Sequence, residues 1–326
     1  MKRRQLPSFL AVQIAALCML ALTAVPSLAQ DKPPLKILVG FPAGGSADIL
    51  ARILADKLRV SLGQTVIVEN KPGAGGRVAM TELKRAAPDG QTLALTPSGV
   101  LVVQPWLFAN MGFDANKDFA PIARVSTFDF AITAGPSAPA GDMKTILAAM
   151  KATPATANYA TPGAGTLPHF TGQLLGQSAG ATLTHIGYKG GAAAATDLLG
   201  GQVPLMIDTA VETIEHHRAG KVRIIAMTGE ARSKSLPNVP TLKELGINVV
   251  ADGFFGLYGP AGLAGDTVAR LSRAVNEALQ AADVQEKIQN AGLVANYGSA
   301  QELGSTQAEH YRRWEAPIKA SGFKPE

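Results

Sequence analysis

The segment Phe41-Pro42-Ala43-Gly44-Gly45-Ser46-Ala47-Asp48 joins a short apolar run to an amphipathic one. Its residue types suit one chemistry above others, the holding of an anion. A helix that starts there exposes unpaired N–H groups and about half a positive charge, and adjacent glycines let the backbone approach a ligand closely. A carboxylate at such a place would accept charge-assisted hydrogen bonds worth ~1.5–3 kcal/mol each without any buried arginine. The simpler reading is a tight turn in which Ser46 merely caps its helix. The pattern returns at Thr161-Pro162-Gly163-Ala164-Gly165-Thr166, with Gly190-Gly191 beyond it. Two amide-rich loops that face one cleft form a pincer for an anion.

Four side chains join this set. Asp48 falls in the first helical turn, where a carboxylate complements the helix dipole; its expected role is structural more than contact with ligand. Ser98 follows an apolar strand and can turn its hydroxyl to the cleft. His169 lies one turn into the helix after the second glycine loop, where it either donates to a ligand or ties down that loop. Asp208 ends the apolar run Leu205 to Ile207, where it either orders an amine, a hydroxyl or a water, or caps a helix. The candidate ligand-binding set is therefore Phe41, Ala43, Gly44, Gly45, Ser46, Ala47, Asp48, Ser98, Gly163, Ala164, Gly165, Thr166, His169 and Asp208.

Catalytic patterns are mostly not found in the sequence. The letters Gly-x-Ser-x-Gly occur at Gly176-Gln177-Ser178-Ala179-Gly180, at the end of the helical stretch Leu167 to Ser178 and not at a strand-to-helix turn, so they form no nucleophile elbow, and there is no phosphate-loop Gly-Lys-Ser/Thr and no His-Glu-x-x-His. The run Gly73-Ala74-Gly75-Gly76 does not complete a dinucleotide fingerprint, and it follows the second strand instead of the first. His216-His217 reads as a solvated helix end, because adjacent helical side chains point about 100° apart. Two tryptophans and 6% aromatic residues leave few stacking platforms for bases. Neither a catalytic residue, a metal site nor a cofactor is expected, and nucleic acid is not an expected partner.

The elements that must position these residues alternate. Leu35 to Gly40 suits a buried strand, and Ile49, Leu50, Ile53, Leu54 and Leu58 follow at helical spacing. Thr65 to Glu69 and Gln91 to Leu95 are further strands, with a helix ending near Ala87 between them. The second series runs strand (Ala157 to Ala160), helix (Leu167 to Ser178), strand (Leu183 to Ile186) and helix (Ala192 to Leu199). Apolar, β-branched stretches at Ile122 to Thr133 and Val249 to Gly259 are long enough to cross between units. This predicts an α/β chain of two lobes joined by two extended crossover strands, with residues 30–128 and 253–326 as lobe 1 and residues 129–252 as lobe 2.

Composition bounds the setting. The 326 residues, 47% hydrophobic, carry 30 Lys+Arg against 25 Asp+Glu, a net charge of +5. Residues 1–29 combine Lys2, Arg3 and Arg4 with an apolar stretch from Phe9 to Val25 and a small-residue exit before Ala29, the pattern of a secretory signal peptide cleaved near Ala29. Removing it takes three of the 30 bases, no acid and the sole cysteine, Cys18, which leaves 27 bases, 25 acids and a net charge of +2. The expected product is periplasmic and free of thiols.

Several motifs together resemble one family. They are Val39 to Asp48 with Arg52; Val68-Glu69-Asn70-Lys71-Pro72-Gly73-Ala74-Gly75-Gly76; Pro88-Asp89-Gly90; Asp118-Phe119-Ala120-Pro121; Pro168-His169; Tyr188-Lys189-Gly190-Gly191; and Asp197 to Val203. From Leu35 to beyond Gly292 the chain resembles the substrate-binding receptors of tripartite tricarboxylate transporters, the Bug receptor family. The resemblance implies a two-lobed type II periplasmic binding protein fold that closes on a small organic acid, a mono- or dicarboxylate held by backbone amides and bridging waters. It also implies membrane permease subunits as partners, and a monomer is expected. Gly187 and Ala193 stand where the family often has Pro, and Phe254 where it often has Trp; these departures bear on ligand identity and loop rigidity. The alternative output is docking on a sensor kinase. The remote alternative is a periplasmic serine hydrolase built on Ser46 or Ser98.

Overall fold

A computed structural model describes residues 33–323; the signal peptide expected at 1–29 lies outside them. The chain folds into two sheets flanked by helices. The first sheet holds β1 (Leu35–Val39), β2 (Val66–Asn70), β3 (Thr92–Pro97), β4 (Phe119–Asp129), β10 (Asp252–Pro260) and β11 (Val294–Gly298), in the order β11-β4-β10-β3-β1-β2. The second holds β5 (Ala131–Ala134), β6 (Asn158–Thr161), β7 (Thr184–Gly187), β8 (Leu205–Asp208) and β9 (Arg223–Met227), in the order β7-β6-β8-β5-β9. In the first sheet β1 pairs in parallel with β2 and β3, and in the second β6 pairs in parallel with β7 and β8. The antiparallel members are the crossing elements and their neighbours. β4 runs almost directly into β5, and β10 returns against β4 with Asp252 opposite Asp129.

Helix α1 (Ser46–Leu62) shows why the sequence folds this way. Leu50, Leu54, Leu58 and Leu62 recur every fourth residue and are buried under the first sheet, and Gly63 ends the helix in the left-handed conformation with φ 59°. Helix α5 (Leu167–Ala179) and helix α6 (Gly191–Leu199) occupy the equivalent places beside the second sheet. The C-terminal helix α10 (Ala300–Ser321) opens with a reciprocal Ser299–Glu302 capping box.

Where the crossing strands meet, three phenylalanines pack together. Phe128 lies 5.5 Å from Phe130 and 4.7 Å from Phe255 between ring centroids. Their edges form a wall between the two sheets. Phe254, one residue away, points to the opposite face of β10 and meets His310 edge-on at 5.3 Å, as the two-residue period of a strand requires. No described helix is long and apolar enough to cross a membrane.

Candidate functional site

Parallel strands direct their carboxyl ends to one crevice, the usual place for a ligand in an open α/β sheet. Here the crevice lies between the two sheets. Phe41, Pro42, Gly45 and Ser46 follow β1, Gly75 follows β2, Pro97 ends β3, Pro162 and Thr166 follow β6, Gly190 follows β7, and Asp208 ends β8. All of these line one cavity of about 60 Å³, room for about four to six waters at roughly 10–15 Å³ each. Phe128, Phe130 and Phe255 supply its apolar wall.

Three helices begin at this cavity. Gly45, Ser46 and Ala47 open α1; Thr166, Leu167 and Pro168 open α5; Gly190, Gly191 and Ala192 open α6. None of the three N-cap residues bonds its side chain back to its own helix; the first amide of α1, Ser46 N–H, is taken by Glu212 Oε1, and each helix turns its positive end to the cleft. Thr166 turns its hydroxyl away to donate to Gly163 O at 2.7 Å. Gly190 has φ 109°, a conformation suited to glycine, and Gly191 lies against the cavity floor. A Cβ at Gly191 would collide with Asp208 Oδ2 and the Glu212 side chain.

The floor is acidic. Asp208 Oδ1 accepts from Thr209 N–H at 2.8 Å. Glu212 Oε2 accepts from the Thr209 hydroxyl at 2.9 Å, and its Oε1 accepts from Ser46 N–H at 3.1 Å, across the cleft at the start of α1. Asp208 Oδ2 is buried with no partner. Burial, and then the charge of Glu212, push the Asp208 carboxyl well above its ordinary range; burial likewise raises Glu212.

Of the residues singled out in the sequence, Phe41, Gly45, Ser46, Ala47, Thr166 and Asp208 stand on the cavity. Gly163 and Ala164 line an adjoining outer groove of about 860 Å³ together with Arg77 and Lys189. Ala43 and Gly44 are exposed on the first loop, outside both linings. Gly165 packs beside Leu107 and Phe108. Ser98 is 1% exposed, and its Oγ accepts from Phe254 N–H at 3.3 Å; its neighbours Pro97 and Gly99 reach the cavity instead. His169 Nδ1 accepts from Gly165 N–H at 3.2 Å, and its ring stacks on His185 at 3.9 Å, a contact that ties down the glycine loop. Burial holds the His169 imidazole down at about 4.

Asp48 belongs to the loop. Its Oδ2 accepts from Gly44 N–H and Arg52 Nε–H, both at 2.9 Å, and its Oδ1 accepts from the Asn70 amide at 2.9 Å and faces Arg52 Nη2 at 2.9 Å. Burial pushes its carboxyl up, but the Arg52, Gly44 and Asn70 hydrogen bonds outweigh burial and hold it below the usual range.

Sequence reasoning missed Glu212, Thr209 and the three phenylalanines. Glu212 follows Asp208 by four residues just after a strand, which was a usable signal. Among the described residues no group of three or more His, Cys, Asp or Glu side chains could hold a metal ion.

Comparison with known proteins assigns the chain to a family. The pattern of the TctC family, described as tripartite tricarboxylate transporter family receptor, matches residues 50–323. A UPF0065 protein from the gbd 5' region of Cupriavidus necator is 36% identical over 313 residues, covering 95% of each chain. The structure of the periplasmic binding protein BugD superposes with a TM-score of 0.85 at 32% identity, over 90% of this chain and 99% of that one. MatC from Rhodopseudomonas palustris with bound malate gives a TM-score of 0.83 at 28% identity, over 87% of this chain and 98% of that one. With its two sheets, its crossing strands and a cleft of helix ends, the chain belongs to the tripartite tricarboxylate transporter receptor family, the TctC or Bug-type solute-binding receptors.

Proposed function

We propose that the protein is a non-catalytic periplasmic receptor that captures a small organic carboxylate between two lobes and hands it to the membrane permease of a tripartite tricarboxylate-type transporter. The observation that carries this reading is the convergence of three helix N-termini on one cavity. Residues 30–128 with 253–326 form one lobe and residues 129–252 the other, so that α1 approaches the ligand from one side and α5 and α6 from the other. Binding in the micromolar range needs about 8 kcal/mol net, which a few amide bonds to a charged oxygen and the burial of apolar wall supply after desolvation. Arg77 and Lys189 at the outer groove draw anions toward the cleft. Malate in the related MatC structure is a ligand of this chemical class.

Isothermal titration of the protein, freed of any copurified ligand, against mono- and dicarboxylates tests the reading. Saturable binding of at least one acid is expected, with no turnover of esters or amides. Silence across the panel would sink it.

A further inference from the structure

Asp208 and Glu212 bring four carboxylate oxygens to the cavity floor. Three of them accept hydrogen bonds: Asp208 Oδ1 from Thr209 N–H, Glu212 Oε1 from Ser46 N–H and Glu212 Oε2 from the Thr209 hydroxyl. The fourth, Asp208 Oδ2, is buried without a partner in a residue only 6% exposed. It stands against the start of α6, where Gly191 has no Cβ to cover it. Among the described residues no lysine or arginine lines the cavity. Glu212 is the titratable group that faces Asp208; β5 sets Ala131 opposite it and α6 contributes Gly191.

Two dehydrated carboxylates side by side, with no cation, hold a proton between them. A proton on any of the three accepting oxygens would compete with a hydrogen bond already made. Asp208 Oδ2 can take it without that loss. On the carboxylate reading of the cleft, on which this rests, we propose that Asp208 meets the ligand as a neutral acid: the Oδ2–H group donates to a carboxylate oxygen of the ligand, and the binding-competent cleft carries one proton. The proton stays on Asp208 throughout. Burial and the neighbouring charge of Glu212 both favour that protonated form.

The consequence is a pH dependence of affinity even for an anion that is itself fully ionised. Affinity is constant while the pair holds its proton and falls about tenfold for each pH unit above its titration. A ligand that set an ammonium group against Asp208 would need the ionised form and show the opposite trend.

Succinate, malate and adipate, titrated calorimetrically into the whole protein at a series of pH values from about 6 to about 9, test this, with aspartate as the ammonium-bearing counterpart of succinate. For each acid that binds the wild type, affinity is expected to fall on the alkaline side. Asp208→Asn, whose amide donates at every pH, is expected to bind with that fall removed, and Asp208→Ala to bind at least about tenfold more weakly than wild type in the range where wild-type affinity is constant, the loss of one hydrogen bond to a charged group. An independent readout is the infrared difference between ligand-free wild type and Asp208→Asn at neutral pH, where the C=O stretch of a protonated carboxyl is expected. If that band is missing, or if aspartate binds through ionised Asp208 and Asp208→Asn abolishes it, the proposal falls while the carboxylate reading stands. If no acid gives heat at any pH, the carboxylate reading fails and takes the proposal with it.

Discussion

The first loop and the cavity floor each bury an aspartate to nearly the same degree, Asp48 at 2% and Asp208 at 6% exposure, yet their surroundings are opposite. Asp48 is surrounded by donors: Gly44 N–H, the Asn70 amide and the half-exposed Arg52 guanidinium. It is a saturated, ionised brace that fixes the turn before α1. Asp208 has one backbone donor, an acidic neighbour and an oxygen with nothing to bond. Burial alone therefore says little about a carboxylate's role; the number of donors that surround it does. A fully partnered acid stabilises the fold, and an under-partnered one next to a cavity is available to a ligand at a cost to stability.

The same substitution at the two sites should separate them. Asp48→Ala strands three donors and is expected to cost about 3 kcal/mol of unfolding free energy in urea titrations; a loss below about 1 kcal/mol would show that the brace is dispensable. Acidification gives an effect of similar size by another route. His169 and His185 are held down at about 4 and about 3, each by burial first, His185 also by the neighbouring His169. Their folded-state values are depressed, so the stability they contribute is complete above the ordinary imidazole range, near 6.5. It is lost as pH falls from there toward 4, by on the order of a few kcal/mol. Thermal melts across that range check it.

Next in size is Gly191→Ala, which drives a methyl group into Asp208 and Glu212 and is expected to cost about 1–3 kcal/mol and to weaken carboxylate binding. Asp208→Asn has the reverse sign. It removes an unpaired buried acid and keeps its shape, so stability is expected to be unchanged or raised by about 1 kcal/mol. The gain should grow on the alkaline side. Because the folded values of Asp208 and Glu212 are raised, their contribution is complete below the ordinary carboxyl range and is lost as pH rises through the folded titration. Asp129, pushed up to about 6 by burial, acts in the same direction. Arg52→Ala should be the mildest, at about 1 kcal/mol or less, since its guanidinium is half exposed.

Much of the architecture could be read in the sequence, because each half repeats strand, glycine loop and helix with the correct periods. Leu50, Leu54 and Leu58 announced α1, and Leu167 to Ser178 lies within one residue of the end of α5. Helix α4 (Met143–Ala152), helix α9 (Ala282–Asn290) and strands β9 and β11 were not singled out. Arg223–Met227 and Val294–Gly298 owe their conformation to pairing with β5 and β4, distant in sequence, which a local window does not show.

The site was legible where it depends on backbone. Gly45, Ser46 and Thr166 could be placed because a helix must start there. Its side-chain half was not, since Glu212 meets Ser46 over 166 residues of separation and no local pattern encodes that meeting. Ser98 and His169 show the converse: both sit beside the cleft, but their hydrogen bonds go to Phe254 and Gly165.

A crystal structure with a bound dicarboxylate tests the amide-based capture most directly. One ligand carboxylate should lie within hydrogen-bonding distance of backbone N–H groups at the starts of α5 and α6, with the rest of the acid against Phe128, Phe130 and Phe255. A ligand held instead by Arg77 and Lys189 in the outer groove, with the inner helix ends untouched, would contradict it.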